Sequence, residues 1–167
     1  MILETATKYH LQADEAFMHE ALREAEQAAS DGEVPVGAIL VHENTIVARG
    51  RNARERKQDP TAHAELIAIG EAAEKLQSWR LTGTTMYVTL EPCLMCAGAM
   101  LQARIPRLVF SIRDPKAGAC GSLFAVHEDN RLNHQIEVTY GILENESRDL
   151  LQRFFQRLRH DQPLTMT

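Results

Sequence analysis

The segment TTMYVTLEPCLMCAGAMLQARI, residues 84–105, joins a strand directly to a helix. The β-branched and aromatic residues of 84–90 predict the strand. Pro92 stands where a helix can begin, and 93–105 predicts that helix. RLVFSI (107–112) predicts a further strand. A strand, a helix and another strand in this order predict a parallel sheet with helices on its faces.

Further helices and strands are predicted on both sides of this strand–helix–strand segment. DEAFMHEALREAEQAAS (14–30) predicts a helix with Phe17 and Ala21 on its apolar face and Asp14 as a candidate N-cap. The other predicted elements are a hairpin of strands 36–41 and 45–50, a polar loop at 51–61, a helix at 62–77 capped by Thr61, a loop at 114–122, a strand at 135–141 and a helix at 144–159.

This order predicts an α/β fold, a three-layer α/β/α sandwich around a mixed five-stranded sheet. The sheet is expected to be largely parallel, with the opening hairpin adding an antiparallel pair. We predict one domain over residues 14–160, an N-terminal extension at 1–13 and a C-terminal tail at 161–167, and the last eight residues are expected to fray.

Composition limits the classes of protein to consider. The chain has 167 residues, 44% of them apolar and 25% charged, which is typical of a globular domain. No apolar run approaches the length of a membrane span, and MILETATKYH (1–10) has no apolar segment after a basic start, so neither a span nor a secretory signal is expected. Three cysteines, an odd number, favour a reducing, cytoplasmic location.

The net charge of -5 is a weak argument against a nucleic-acid partner. The charge is unevenly distributed, however. Residues 1–48 hold two basic and nine acidic side chains, whereas residues 49–167 hold sixteen basic and fourteen acidic ones. The acidity therefore belongs mainly to the first helix and its flanks.

Two short motifs, each at the predicted start of a helix, carry potential metal ligands. They are His63-Ala64-Glu65 and Pro92-Cys93-Leu94-Met95-Cys96. The positive end of a helix dipole lowers the pKa of a thiol, and residues three apart share a helical face, so Cys93 and Cys96 can both reach one ion. One imidazole and two thiolates are ligands that zinc prefers.

Three ligands leave one position of a tetrahedral zinc ion open, which is the catalytic pattern. The alternative is a closed structural site, for which Cys120, His127 and His134 are the candidate fourth ligands. The C-x-x-C pair alone also fits a redox motif, although this leaves His63 and Glu65 unexplained.

Glu65 is a candidate proton carrier. On an ideal helix it lies about 200° from His63, so the two do not ligate one ion side by side. Its carboxylate can instead face the open position and exchange protons with water there. The alternative is that Glu65 only complements the helix dipole.

The chain resembles the zinc-dependent nucleoside and nucleobase deaminases, whose signature is H-x-E followed by P-C-x-x-C. The resemblance is closest to the bacterial tRNA-specific adenosine deaminases and covers about residues 14–160. It rests on EVPVGA (33–38), GRN (50–52), DPTAHAE (59–65), MYVTLEPCLMCAGAM (86–100), RI (104–105), DPKAGACGS (114–122) and LNH (132–134).

This resemblance implies a cytidine deaminase-like fold and one zinc ion per subunit, held by His63, Cys93 and Cys96. It implies that hydroxide activated by zinc attacks C6 of adenosine at the tRNA wobble position, with Glu65 as proton shuttle, to give inosine. It further implies a homodimer that binds a tRNA anticodon stem-loop, an arginine tRNA being expected. The substrate-binding residues it implies are Asn52, Glu33, Val34, Pro35, Ala64, Asp114 and Lys116.

Basic residues near these motifs are candidates for an RNA-facing surface, since RNA binding requires positive charge. They are Arg49, Arg51, Arg54, Arg56 and Lys57 before His63, Lys116 after Asp114, and Arg153, Arg157 and Arg159 on the last helix. The alternative for each is an ordinary solvated charge, and Phe154 and Phe155 are expected in the core or an interface.

Two other functions remain open on the sequence alone. A free nucleobase or nucleoside deaminase acting on guanine or cytosine compounds shares the zinc chemistry but has no need of a basic surface. A non-catalytic zinc module that binds RNA requires a fourth protein ligand and tolerates loss of Glu65.

Overall fold

The structure, a computed structural model, describes residues 2–161, with side chains described for residues 11–160. The helices are α1 (Ile2–Ser30), α2 (Arg54–Lys57), α3 (Ala64–Lys75), α4 (Leu94–Gln102) and α5 (Glu144–Asp161), with a 3₁₀ turn at Val126–Glu128. The strands are β1 (Gly37–His42), β2 (Thr45–Arg51), β3 (Thr84–Leu90), β4 (Arg107–Ile112) and β5 (Glu137–Tyr140). No helix within the described residues is both long and apolar enough to cross a membrane.

The strands form one mixed sheet in the order β2-β1-β3-β4-β5, which confirms the predicted five-stranded sheet. β1 is antiparallel to both β2 and β3, whereas β3, β4 and β5 are parallel to one another. The expected largely parallel sheet with an antiparallel opening hairpin is therefore confirmed, since only β1 runs against the direction of the other four strands. The reason is that the connection through α3 carries the chain across β1, so that β2 and β3 run in one direction on either side of the opposing strand.

Helices cover both faces of the sheet, as the three-layer prediction requires. Successive strand residues point to opposite faces. Leu40, Met86 and Phe110 pack in the core under α3 and α4. Ile39 and Val109 pack in the other core, under α1 and α5. The zinc-ligand motifs lie at the starts of α3 and α4 and therefore on one side of the sheet.

The first helix begins earlier than predicted, at Ile2 and not at residue 14. Asp14 is consequently not an N-cap. It is buried within α1, where its carboxylate accepts hydrogen bonds from Tyr87 Oη at 2.8 Å and from the two terminal nitrogens of Arg107 at 2.9 and 2.7 Å. The helix passes without interruption from the predicted extension at 1–13 into the domain, whose proposed boundary stays a prediction.

Three further local predictions need correction. The loop predicted at 51–61 contains α2. His63, not Thr61, is the N-cap of α3, and the Thr61 hydroxyl donates to Asp59 at 2.7 Å instead. The last helix continues through residues 160 and 161, where fraying was expected, and the rest of the predicted tail lies outside the described residues.

Candidate metal centre and substrate cavity

Two helix starts bring the three proposed zinc ligands together. His63 and Cys93 are the N-caps of α3 and α4, each with extended backbone, and Cys96 lies in the first turn of α4. Gly50 sets the position of α3, because a Cβ at this residue would overlap the carbonyl oxygen of Ala64. A glycine in β2 thus lets the helix that presents His63 pack directly on the strand.

The spacing of the ligand atoms fits a tetrahedral zinc ion. The Nδ1 atom of His63 lies 3.7 Å from the sulfur of Cys93 and 3.5 Å from that of Cys96. Zinc–nitrogen and zinc–sulfur bonds of ordinary length, at a tetrahedral angle, place such atoms about 3.6 Å apart. The donor set and its dimensions therefore both match zinc.

The local hydrogen bonds shift the pKa values of the two cysteines in opposite directions. A hydrogen bond from Cys96 lowers the pKa of Cys93 to about 3, in spite of burial. The same bond and burial raise the pKa of Cys96. Hydrogen bonding with Cys93 also raises the pKa of His63. Binding of a metal ion to both sulfurs requires that both thiols lose their protons.

No fourth protein ligand joins the group within the part of the chain that the structure describes. His134 is engaged elsewhere, with its Nε2 atom 2.7 Å from the carbonyl oxygen of Ile105. Cys120 is buried in the 114–122 loop, and His127 lies beside Glu128. This arrangement supports an open catalytic site over a closed structural one.

A cavity of about 210 Å³ adjoins the metal group. Of the residues predicted to bind substrate, it contains Val34, Asn52, Ala64 and Asp114. Its complete lining is Val34, Val36, Asn52, Arg54, His63, Ala64, Glu65, Leu90, Glu91, Cys93, Asp114 and Ala117. Segments distant in sequence thus enclose one space beside the metal group.

Glu65 belongs to this cavity but not to the metal group. Its side chain is buried, and this burial raises the pKa of its carboxyl group. A carboxyl group whose pKa is raised by burial is a stronger base, which suits a residue that accepts and donates protons.

Asn52 is buried at the end of β2 and lines the cavity. Its backbone N–H donates to the carbonyl oxygen of Val36 at 3.0 Å, and its side-chain amide donates to that of Val34 at 3.4 Å. These bonds hold the side chain in a defined orientation. Its Oδ1 atom makes no hydrogen bond within the described residues and can accept one from a ligand.

Three predicted substrate-binding residues do not line the cavity. Glu33 is buried, and its carboxylate lies at the start of α2. There it accepts hydrogen bonds from the backbone N–H groups of Glu55 at 3.2 Å and Arg56 at 2.7 Å. It therefore supports α2 instead of facing the cavity. Pro35 is also absent from the lining, and Lys116 lies in a separate groove.

The basic segment before His63 is largely neutralised by α1. Arg51 pairs with Glu24 at 3.2 Å and with Asp31 at 3.3 Å. Arg49 and Arg56 also pair with acidic residues of this region. Arg51 is therefore engaged by protein carboxylates, whereas Arg54 lines the cavity.

The three arginines predicted on the last helix are exposed but face different surroundings. Arg159 shares a groove of about 650 Å³ with Ile112, Lys116, Arg148, Leu151 and Phe155. Arg153 lines another groove, between α1 and α5, together with Glu26, Glu146 and Asp149. Arg157 lines neither. Lys116, two residues after Asp114, thus shares a groove with Arg148 and Arg159.

Sequence reasoning missed Glu91, which lies in the cavity lining between Leu90 and Pro92. Its carboxylate is buried and accepts hydrogen bonds from Asp114, Cys120 and Ser122. Burial raises the pKa of Glu91, but these bonds outweigh it and hold the pKa below its ordinary value. A carboxylate at a strand end, directly before the P-C-x-x-C motif, was the available signal.

The fold and this centre are those of the zinc-dependent deaminases. Residues 11–112 match the cytidine and deoxycytidylate deaminase zinc-binding region, and the chain belongs to this family. It is 49% identical over 146 residues to the tRNA-specific adenosine deaminase of Bacillus subtilis (strain 168), covering 87% of this chain and 91% of that one. It is 46% identical over 160 residues to the tRNA-specific adenosine deaminase of Haemophilus influenzae, covering 95% and 92%.

Solved structures of deaminases are also similar to this chain. A structure from work on A-to-I editing by tRNA:A34 deaminases superposes with a TM-score of 0.79 at 43% identity, over 81% of this chain and 99% of that one. The guanine deaminase of Nitrosomonas europaea is similar at 25% identity, with a TM-score of 0.69 over 84% and 83% of the two chains.

Proposed function

We propose that the protein converts adenosine to inosine at the wobble position of a tRNA anticodon by hydrolytic deamination. The observation that carries this proposal is the similarity to tRNA-specific adenosine deaminases, at 46–49% identity over nearly the whole chain. The chain is also similar to a guanine deaminase, although at a lower identity of 25%, so a free nucleobase is the second candidate substrate. An arginine tRNA is the substrate we expect.

In the proposed reaction, His63, Cys93 and Cys96 would hold a zinc ion, which would make a hydroxide nucleophile available at neutral pH. Glu65 takes up a proton as this nucleophile forms and delivers it to N1 of the adenine. The hydroxide adds to C6, and Glu65 then takes the proton of this new hydroxyl group and delivers it to the amine, so that the C6–N bond breaks and inosine and ammonia leave. Burial of Glu65 supports this role, since a carboxyl group shielded from water exchanges its proton with the bound base and not with solvent.

The cavity accepts one base that has been turned out of the anticodon loop. Asn52 offers an amide to the purine edge, in keeping with the way asparagine pairs with adenine. Val34 and Val36 provide apolar surface for the ring. The backbone N–H of Ala64, at the start of α3, and the side chain of Asp114 complete the contacts that we propose.

The RNA surrounding the target base is proposed to lie across the groove of Lys116, Arg148 and Arg159. Among the described residues no acidic side chain lines this groove, although Arg148 pairs with Glu144 beside it, and the groove adjoins the loop that carries Asp114. Phe155, half-exposed in the same groove, offers apolar surface. Affinity for the anticodon stem-loop is therefore expected to fall as the salt concentration rises. Arg159→Ala is expected to reduce the slope of log affinity against log salt concentration by about 1, which corresponds to the loss of one phosphate contact.

We also propose that the protein is a cytoplasmic homodimer. Leu94 and Leu132 are exposed and line one groove beside α4, separate from the Lys116 groove. A second copy is the partner that would bury them. Sedimentation of the protein and of Leu94→Glu would test this, with a dimer expected for the first and a monomer for the second.

The deciding experiment is an incubation of the zinc-loaded protein with an arginine anticodon stem-loop carrying adenosine at position 34. Inosine at that position, detected by mass analysis, is the expected result. Parallel incubations with free adenosine, cytidine and guanine serve as the comparison. Turnover of a free compound without turnover of the stem-loop would replace the proposal with the nucleobase alternative.

A further inference from the structure

Glu91 occupies a position between the metal group and the wall of the cavity. It follows the last residue of β3 and precedes Pro92 and Cys93, so its backbone is continuous with a zinc ligand. Its side chain is only 2% exposed. A carboxylate buried to this extent requires several hydrogen-bond donors.

Within the described part of the chain, the hydrogen-bond donors to this carboxylate all come from the 114–122 loop. The Oε1 atom accepts hydrogen bonds from the backbone N–H groups of Cys120 and Ser122, both at 3.0 Å. The Oε2 atom accepts the backbone N–H of Asp114 at 2.9 Å and the Ser122 hydroxyl. One side chain therefore binds both ends of the loop.

The loop is also packed closely on the segment that carries Cys93. The N–H of Ala119 donates to the carbonyl oxygen of Pro92 at 2.8 Å, and Gly118 lies opposite Cys93 in an isolated β-bridge. A Cβ at Gly118 would overlap the carboxylate of Glu91. The glycine thus leaves the space that the carboxylate occupies.

The loop contributes Asp114 and Ala117 to the cavity wall. The Asp114 side chain is held within its own turn, where its Oδ1 atom accepts the N–H groups of Lys116 at 2.9 Å and Ala117 at 3.2 Å. This turn is connected to the metal segment through the bond from the Asp114 N–H to Glu91.

We propose that Glu91 is a positioning residue, which aligns the Asp114 wall of the cavity with the zinc ligands and so places the target base for reaction. This inference rests on the proposed function for its substrate. A shift of about 1 Å in such a wall can reduce the rate by about 10²-fold even when the reacting groups are intact.

Glu91→Gln tests the inference with little change in volume. The amide oxygen can replace Oε1 and accept from Cys120 and Ser122. The amide nitrogen must then face the N–H of Asp114, so that two hydrogen-bond donors point at each other with no acceptor between them. We expect one zinc per chain, faster hydrogen exchange at Asp114, and a loss of about 10- to 100-fold in kcat/KM on the A34 stem-loop.

Asp14→Asn is the matched control, because it changes another buried carboxylate to an amide, one whose hydrogen-bond partners are Tyr87 and Arg107 and not residues of the 114–122 loop. We expect it to lower stability and leave kcat/KM and exchange in the 114–122 loop unchanged. If Glu91→Gln lowers thermal stability as Asp14→Asn does, but changes neither kcat/KM nor hydrogen exchange in the 114–122 loop, Glu91 is merely structural and the inference fails. Ser122→Ala, which removes one donor, provides a milder variant with the same expected direction.

A double-mutant cycle separates alignment of the wall from other effects. If Glu91 acts through Asp114, the variant Glu91→Gln/Asp114→Ala is expected to be no slower than Asp114→Ala. Additive losses, or loss of zinc from Glu91→Gln, would overturn the inference. If the wild-type protein fails to deaminate the stem-loop, the proposed function fails, and hydrogen exchange and zinc content alone decide the anchoring role of Glu91.

Discussion

Replacing Asp14 by serine distinguishes two roles for this residue. As an N-cap, aspartate would be replaced by serine with almost no change in stability. In the structure, however, Asp14 is the buried acceptor for Tyr87 and Arg107. The shorter serine hydroxyl cannot receive both nitrogens of the guanidinium group and the phenol.

The expected loss follows from the groups left behind. Breaking a buried ion pair by removing one partner costs about 3–5 kcal/mol. The Arg107 side chain keeps 23% of its surface in water, so we take about 2 kcal/mol for its charge. The buried Tyr87 hydroxyl, left without its acceptor, adds about 1 kcal/mol. A total of about 3 kcal/mol corresponds to a fall of about 6–12 °C in Tm for a domain of this size.

Thermal and urea unfolding, followed by circular dichroism, measure this loss. The same substitution in an Arg107→Met background is expected to cost much less, because the buried cation is then absent. A shift in Tm below about 2 °C for Asp14→Ser would refute the structural role, since it corresponds to less than about 1 kcal/mol.

Three further predictions concern catalysis, packing and pH. Glu65→Ala is expected to keep one zinc per chain and to lose about 10²–10⁴-fold in turnover; activity equal to the wild type would end its proton-transfer role. Gly50→Ala is expected to cost about 1–3 kcal/mol and to slow the enzyme, because its Cβ meets the first turn of α3, whereas Gly70→Ala, with open space at its Cβ, should be as stable as the wild type or more so. The hydrogen bond from Arg49 lowers the pKa of Glu20 below 4.5, so its stabilisation is present above that pH and is lost on acidification. Glu20→Gln should therefore lower Tm at pH 6 by more than it does at a pH well below 4.5, and an equal effect at both would contradict the ion pair.

Sequence patterns predicted the local elements and the metal ligands well. The strands at 84–90 and 107–112 have the predicted bounds, since alternation and β-branched residues are properties of the segment itself. The metal group follows from short spacings at two helix starts. Asp14, Glu33 and Glu91 could not be placed in this way, because their hydrogen-bond partners lie far away in the sequence.

The sequence by itself determined the ligand chemistry and the helix and strand segments, because these depend on residues within one or two turns. It also located the acidic charge in the first helix. Only the tertiary structure decided where that charge acts: α1 packs beside β2, and its carboxylates neutralise Arg49 and Arg51. The fold likewise brought Glu91 beneath the 114–122 loop, because a buried carboxylate takes its donors from whichever backbone the sheet order places next to it.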